Sequence, residues 1–329
     1  MMTAPEPGLY WAIAILLGAM CLGTVARFIA LRNAEAETRQ KRLASLRTWW
    51  LLALAVSAAL LAGRLGICLL LGLASCVAWS EITILHRPRP EDRLAVLAGY
   101  VLIILNYLLI LLGFTSWHGA FLPLCAMLLI AVLLLVQDQP KDYIRATGAL
   151  LWGLMFLGYG ISHAALLLSL PMTANGPLGA AGWFLFLVIL TESDDIFQAI
   201  VGRLFGAHQR HRIAPVISPN KTWEGFIGGM LVIVVMAPLL APYLTGLGDI
   251  PGPLSVAEPL RPFVAPVMIA LLISAAGFFG DINMSAIKRD AGVKDSSNRL
   301  PGMGGVIDRV DSLTMTAPVY VYFLHWWLG

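Results

Sequence analysis

Charge is what this sequence has least of. Asp, Glu, Lys and Arg make up only 12% of its 329 residues, against 59% hydrophobic residues and a mean hydropathy of +0.80. A soluble globular surface cannot be built from that composition, so the bilayer must act as solvent for most of the chain. Basic residues outnumber acidic ones by only 22 to 19 and form no long tract, which argues against a nucleic-acid partner. Cysteine is scarce too: Cys21, Cys68, Cys76 and Cys125 all lie inside apolar stretches, with neither C-x-x-C nor Cys/His spacing. They read as small core or lipid-facing residues, not zinc ligands. The N-terminal MMTAPEPGLYW has no basic n-region, and no small-residue cleavage site follows its apolar run, so that run reads as a retained helix. Low-complexity segments and internal repeats are also missing.

What is abundant is the long apolar run. A spanning helix needs about 20 mostly apolar residues. Candidates run from Gly8 to Val25, Thr48 to Leu61, Leu65 to Leu85, Leu94 to Leu112, Ala120 to Val136, Ala146 to Leu168, Gly179 to Leu190, Phe226 to Leu244, Phe263 to Gly280 and Leu313 to Leu328. The expected fold is therefore all-α, a polytopic integral membrane protein of about ten transmembrane helices, or nine if Arg64 does not separate the second span from the third. Strict alternation puts five loops on one side, carrying the bases of Arg27 to Arg47, Arg87 to Arg93, Lys141 and Arg145, Arg203 to Lys221, and Lys288 to Arg309. Of the 22 bases only Arg64 and Arg261 fall on the other side, which makes the base-rich side cytoplasmic and puts both termini outside. Residues 1–170 then form an N-terminal stack of helices and 171–329 a C-terminal region with two polar cytoplasmic loops.

Those loops, 192–224 and 281–311, hold the ingredients of a phosphate and metal site. In the second, Asp281, Ser285 and Lys288 are spaced to share one face of a helix continuing from the ninth span. Leu300-Pro301-Gly302-Met303-Gly304-Gly305 must break it, and Asp308 and Asp311 then lie three apart on a new helix. The resulting hairpin is expected to bring Asp281 and Asp308 together. Paired carboxylates suit Mg²⁺, which shares its oxygen ligands with substrate phosphates, and the Gly304 and Gly305 amides at a helix start suit an anion. A merely solvated loop accounts for the bases but not for five interleaved aspartates, since acids contribute little to membrane orientation. In the first loop Ser218 and Pro219 occupy N-cap and first-turn positions before the eighth span. Lys221, Thr222 and Glu224 follow without the glycines of a Walker A loop. Asp194 and Asp195 read equally as metal ligands or as interfacial acids.

The run Ser285-x-Ile287-Lys288-Arg289-x(4)-Lys294-Asp295-x-Ser297-x(2)-Leu300-Pro301-x-Met303-Gly304-Gly305-Val306-x-Asp308-Arg309-Val310-Asp311 resembles the signature of phosphatidate cytidylyltransferases (CDP-diacylglycerol synthases). Gly202-Arg203-Leu204-Phe205-Gly206 and Ser218-Pro219-x-Lys221-Thr222-Trp223-Glu224-Gly225 resemble that family's other motifs, in the expected order. Together they cover roughly the last 140 residues. Three departures stand out: Met303 replaces the family's His, Met284 its Glu, and Gln198-Ala199 its Ala-Tyr. The resemblance, to a divergent bacterial-type subgroup, implies transfer of CMP from CTP to phosphatidic acid or a related lipid phosphate. It also implies Mg²⁺ with room for a second cation, a multi-pass location in the cell (inner) membrane and a possible homodimer. On it, Asp281, Asp308, Lys288, Arg289 and Lys294 are candidate catalytic residues. Asp281, Asp308, Asp311 and Asp195 are candidate metal ligands, and Ser218, Lys221, Thr222, Glu224, Gly304, Gly305 and Arg309 candidate substrate contacts.

Other functions leave different marks. A transporter places ionisable groups on broken helices near mid-bilayer, whereas here Glu81, Arg64 and His163 are isolated in apolar spans and the dense polar clusters lie in loops. A cytidylyltransferase or kinase acting on another lipid phosphate, and a degenerate non-catalytic paralogue, both remain compatible with the signature.

Overall fold

A computed structural model of the chain describes residues 6–32, 35–86, 89–138, 140–169, 176–206, 211–254 and 257–328. The loop bases Arg87 and Arg210, and the expected division near residue 170, lie outside them. Helices fill every expected span: α1 (Pro7–Ala30), α2 (Ala36–Leu61), α3 (Gly63–His86), α4 (Arg93–Leu112), α5 (Thr115–Leu135), α6 (Tyr143–Gly153) continuing through a π-helical turn (Leu154–Gly160) into α7 (Ile161–Leu166), α8 (Ala180–Phe205), α9 (Trp223–Leu244), α10 (Arg261–Asp290), the single turn α11 (Ile307–Val310) and α12 (Leu313–Leu328). Among the described residues, eight helical segments are long and apolar enough to cross a membrane. The two expected spans outside that group are α8, which carries Glu192, Asp194 and Asp195, and α12, which has 16 residues.

Three helices are longer than their apolar runs. Polar residues do not end a helix where no Pro or Gly interrupts it and the side chains find partners one turn away. So α8 passes Leu190 and carries Asp194 and Asp195 in its interior, and α2 begins twelve residues before Thr48, at Ala36. Likewise α10 runs beyond Gly280 to Asp290, keeping Asp281 and Ser285 on one face, where the Ser285 hydroxyl donates to Asp281 Oδ1 at 3.3 Å. It stops in a Schellman turn: Gly292, at φ +73°, donates to Arg289 O, and Val293 donates to Lys288 O, both at 2.9 Å.

The expected start of α9 is corrected. Ser218 is not an N-cap; Ser218–Thr222 is a strand, β2, paired antiparallel with β1 (Arg212–Ala214) through Arg212 opposite Thr222 and Ala214 opposite Ser218. Thr222 caps the helix instead, its Oγ1 accepting from Gly225 N at 3.1 Å. Proline at 219 is tolerated in a two-stranded ribbon because one side of each strand has no ladder partner.

The C-terminal helices pack α8 on α9 and α10 on both α9 and α12, while α3 to α5 stack in order, and α7 joins the two groups by lying against α12 and α3. Close approach depends on small residues, as is usual between membrane helices. A Cβ on Gly160 would stand 2.3 Å from Thr314 O, and one on Gly182 1.8 Å from Leu244 O. Strict alternation of all ten expected spans, α8 included, would put Ser116 and Lys294 on opposite membrane faces. Ser116→Cys should therefore react with an impermeant maleimide on intact cells, and Lys294→Cys only after permeabilisation; labelling of both from outside would break the alternation.

Candidate active site

Four elements meet at the loop-bearing end of α8 and α10. From β2, the Lys221 ammonium lies 2.9 Å from Asp281 Oδ2 on α10 and 3.9 Å from Asp195 Oδ1 on α8, and it donates to Gln198 Oε1 at 2.9 Å. It also stands 5.6 Å from the centre of the Phe278 ring. On the other side, the Ser312 hydroxyl donates to Asp195 Oδ2 at 2.7 Å. Beside it Asp311, joining α11 to α12, has its carboxyl pushed well above the usual range by burial and then by the charges of Asp281 and Asp195. Burial disfavours the Lys221 charge, but Asp281 and Asp195 outweigh it and hold its pKa above the ordinary lysine value. Three carboxyl groups thus gather around one ammonium in a half-buried cluster, and the crowding of like charge is relieved at Asp311, whose carboxyl is driven toward its protonated, neutral form.

A buried relay behind Lys221 fixes its place. Gln198 donates to Asp194 Oδ2 at 2.8 Å, and Ser274 donates to Asp194 Oδ1 at 3.1 Å. Of the two aspartates left open by the sequence, Asp194 therefore orients Gln198, while Asp195 faces the cluster. Asp195 Oδ1 is buried and has no hydrogen-bond partner.

Asp308 occupies a different position from the one the hairpin expectation gave it. Its Oδ1 accepts from Lys288 Nζ, and its Oδ2 accepts from Ser296 N and Gly305 N at 3.0 and 2.9 Å, with the Ser296 hydroxyl oxygen 3.1 Å away. Those donors hold its carboxyl below the usual range against the opposing effect of burial, the Lys288 hydrogen bond being the largest of them. Asp281 has taken Lys221 as its partner, and Asp308 Lys288. The glycine turn is equally committed. The Gly305 amide is on Asp308, and the next two amides, Val306 N and Ile307 N, donate to Glu81 at 3.0 Å each. The anion expected at that helix start is thus supplied by the protein. Gly304 sits at φ +83°, with a hypothetical Cβ only 2.6 Å from Asp308 Oδ2.

Glu81 is the residue sequence reasoning passed over, read there as an isolated acid in a span. It is fully buried on α3 and also accepts from Ser296 Oγ at 2.8 Å and Ser297 Oγ at 2.6 Å. A charged residue in a span costs about 2.5–3.5 kcal/mol, and hydrogen bonds to a charged group contribute about 1.5–3 kcal/mol each. Four donors satisfy both carboxyl oxygens, which is what allows an acid to be buried there. The usable signal was that cost: a lone acid in an apolar helix needs donors, and the hydroxyls and glycine-turn amides of 296–307 offer them. Arg299, which donates to Val77 O and Ser80 Oγ, and Thr48, which donates to Pro301 O at 3.0 Å, tie the same loop to α3 and α2.

The other candidates have partners or positions of their own. Arg289 clips the two loops together by donating to Ile217 O at 3.3 Å and Val293 O at 2.9 Å. Glu224 contacts His211, Ser218 pairs in β2, and Lys294 is exposed. Arg309 stands within electrostatic reach of Asp195, whose carboxylate it stabilises.

A sequence profile described as "Cytidylyltransferase family" matches residues 43–327. An uncharacterized protein, YnbB, of Escherichia coli K12 is 36% identical over 319 residues, covering 96% of this chain and 98% of that protein. Proteins named phosphatidate cytidylyltransferase match at 31% over 219 residues in Haemophilus influenzae, covering 65% of this chain and 68% of the relative. In Chlamydia muridarum the match is 34% over 176 residues, 54% of each.

Replacing Glu81 tests the anchor. In Glu81→Gln one oxygen becomes an amide donor facing either Val306 N or Ile307 N, and a backbone amide cannot reverse its role. Hydrogen exchange at that amide should accelerate at least about tenfold, the equivalent of 1.4 kcal/mol, with membrane insertion intact. Unchanged protection would show that Glu81 does not hold the loop.

Proposed function

Because this chain belongs to the cytidylyltransferase family, we propose that it transfers the cytidylyl group of CTP to the phosphate of phosphatidic acid, forming CDP-diacylglycerol and releasing pyrophosphate. The observation that carries this reading is the convergence of Asp195, Lys221, Asp281 and Asp311 at the loop-bearing end of the membrane helices.

A phosphate monoester has a second pKa of about 6 and is largely dianionic at pH 7, so its oxygen needs no strong general base. That oxygen forms a bond to the α-phosphorus as the bond to the bridging oxygen of pyrophosphate breaks. Two anions must approach, and the site's work is to position them and offset their charge. Lys221 and Arg309, with Lys294 on the loop after α10, are the phosphate-facing bases, and Lys288 in the last turn of α10 would join them where it leaves Asp308. Ser218, Thr222 and Glu224 shape the hairpin that presents Lys221, and Arg289 fixes that hairpin against α10.

The donor set fits Mg²⁺. Asp195, Asp281 and Asp311 offer hard oxygen ligands, one of them a buried oxygen without a hydrogen-bond partner. Among the described residues no three such side chains form a ready ligand group, and Lys221 lies between Asp195 and Asp281. These three aspartates would therefore hold the ion with Lys221 turned toward phosphate, and Asp308 would join only where Lys288 yields Oδ1. Bound there, the metal would neutralise the triphosphate and the departing pyrophosphate.

We place the enzyme in the cell (inner) membrane with the site facing the cytoplasm, where CTP arrives from water and the acyl chains stay in lipid.

Purified protein supplied with labelled CTP and a panel of lipid phosphates should incorporate label into at least one of them, most strongly phosphatidic acid. EDTA should abolish incorporation, and Asp281→Asn or Asp311→Asn should lower it at least about 10²-fold by removing a charged ligand without altering helix length. An inert wild-type protein across the panel would favour a non-catalytic paralogue, and activity persisting in EDTA would remove the metal from the scheme.

A further inference from the structure

The turn Leu300–Gly304 borders a cavity of about 470 Å³ whose wall is completed by Asp295, Asn298 and Arg309. Its shape follows from the contacts already described. Leu300 N donates to Gly304 O and Met303 N to Leu300 O, both at 2.9 Å, which closes the turn into a rigid loop. The left-handed Gly304 brings that loop against Asp295, whose Cβ lies 3.6 Å from where a Gly304 Cβ would be. Met303 is buried at the cavity wall, whereas Asp295 and Asn298 are exposed on the rim. Arg309 stands between the cavity and the carboxylate cluster: it lines the former, and its charge reaches Asp195 in the latter. Its Nε is buried and has no hydrogen-bond partner.

Resting on the CTP reading above, we infer that this cavity seats the cytosine base, with Asp295 and Asn298 reading its edge, Met303 lying against its face, and Arg309 leading from the base to the phosphates. Cytosine presents an exocyclic amine that donates and ring N3 and O2 atoms that accept. A carboxylate can only accept, so Asp295 matches the amine; a carboxamide can donate, so Asn298 matches N3 or O2. Uracil reverses the first pair, because its O4 accepts and repels a carboxylate. A site built this way discriminates by leaving a mismatched polar pair. A thioether is polarisable and packs favourably on an aromatic ring, which gives Met303 a role in place of the titrating His of the family pattern. The unpartnered Arg309 Nε is a donor without an acceptor, and a ribose or phosphate oxygen supplies one. On this layout the triphosphate extends from Arg309 toward Asp195, Asp281 and Lys221.

The test is equilibrium binding of labelled CTP to the full-length, detergent-purified protein, with UTP and pyrophosphate as competitors and no lipid acceptor. Wild-type protein should bind CTP and release it poorly to UTP. Asp295→Asn should weaken CTP about tenfold and narrow the gap between CTP and UTP by a similar factor, and Asn298→Ala should act in the same direction. Both residues are exposed, and competition by pyrophosphate should be unaltered in each variant, which verifies an intact phosphate region. Met303→Ala should weaken CTP and UTP alike, since stacking does not read the edge. A CTP-to-UTP ratio that stays within about twofold of wild type in both Asp295→Asn and Asn298→Ala would place the base elsewhere and overturn the inference while leaving the transferase reading intact. Failure of the wild-type protein to bind CTP at all would overturn both.

Discussion

The carboxylate of Glu81 holds the two halves of this protein in one arrangement. It leaves α3 inside the helical stack and takes two hydroxyls and two backbone amides from the 296–307 loop, so the loop that follows α10 is bound to a helix more than 200 residues earlier. A buried charge with incomplete partners would be strongly destabilising, so detaching this loop from α3 carries a cost. Asp308 repeats the device from within the loop, gathering Ser296 and Gly305 on one oxygen and Lys288 on the other. Two acids thereby fold a segment that has too little apolar surface to fold itself.

The cluster around Lys221 follows a different rule. Here Asp195, Asp281 and Asp311 come from α8, α10 and the α11–α12 junction, and the ammonium from β2 offsets only part of their charge. The raised Asp311 carboxyl is the electrostatic sign of that imbalance. A site with surplus negative charge and hard oxygen donors has an unmet demand for cations. The scaffold acids carry no such surplus, since every oxygen of Glu81 and Asp308 has donors. The distinction separates aspartates that shape the loop from aspartates that can meet a ligand.

Much of this was legible from composition and spacing. Apolar run lengths located the helices because each must match a bilayer, and the i, i+4 spacing put Asp281 and Ser285 on one face, where they do hydrogen-bond. What periodicity could not reach was partner choice. Asp281 and Asp308 read as a pair because both are acids near a turn, yet each had a lysine closer in space. Ser218 read as a cap because Ser-Pro fits one locally, but pairing with Arg212–Ala214 won, and Thr222 took the cap four residues on. The polar tail of α8 read as loop because apolar runs were used to mark helix ends, and Asp194 with Gln198 shows that a helix can bury polar groups when they serve each other. Glu81 was hidden for the opposite reason: nothing near it in sequence is polar enough to explain it.

Helix α10 is unbroken for 30 residues from Arg261 to Asp290. At about 1.5 Å per residue it is roughly 45 Å long, some 15 Å more than the hydrocarbon layer. Measured from the half-buried Arg261 at its start, Asp281 comes twenty residues along, about 30 Å, which is about the thickness of the hydrocarbon layer. The helix is therefore a ruler as well as a support. On the proposed function, a site at that height would let a lipid phosphate meet these carboxylates without its chains leaving the membrane, and the water-borne substrate would make the descent.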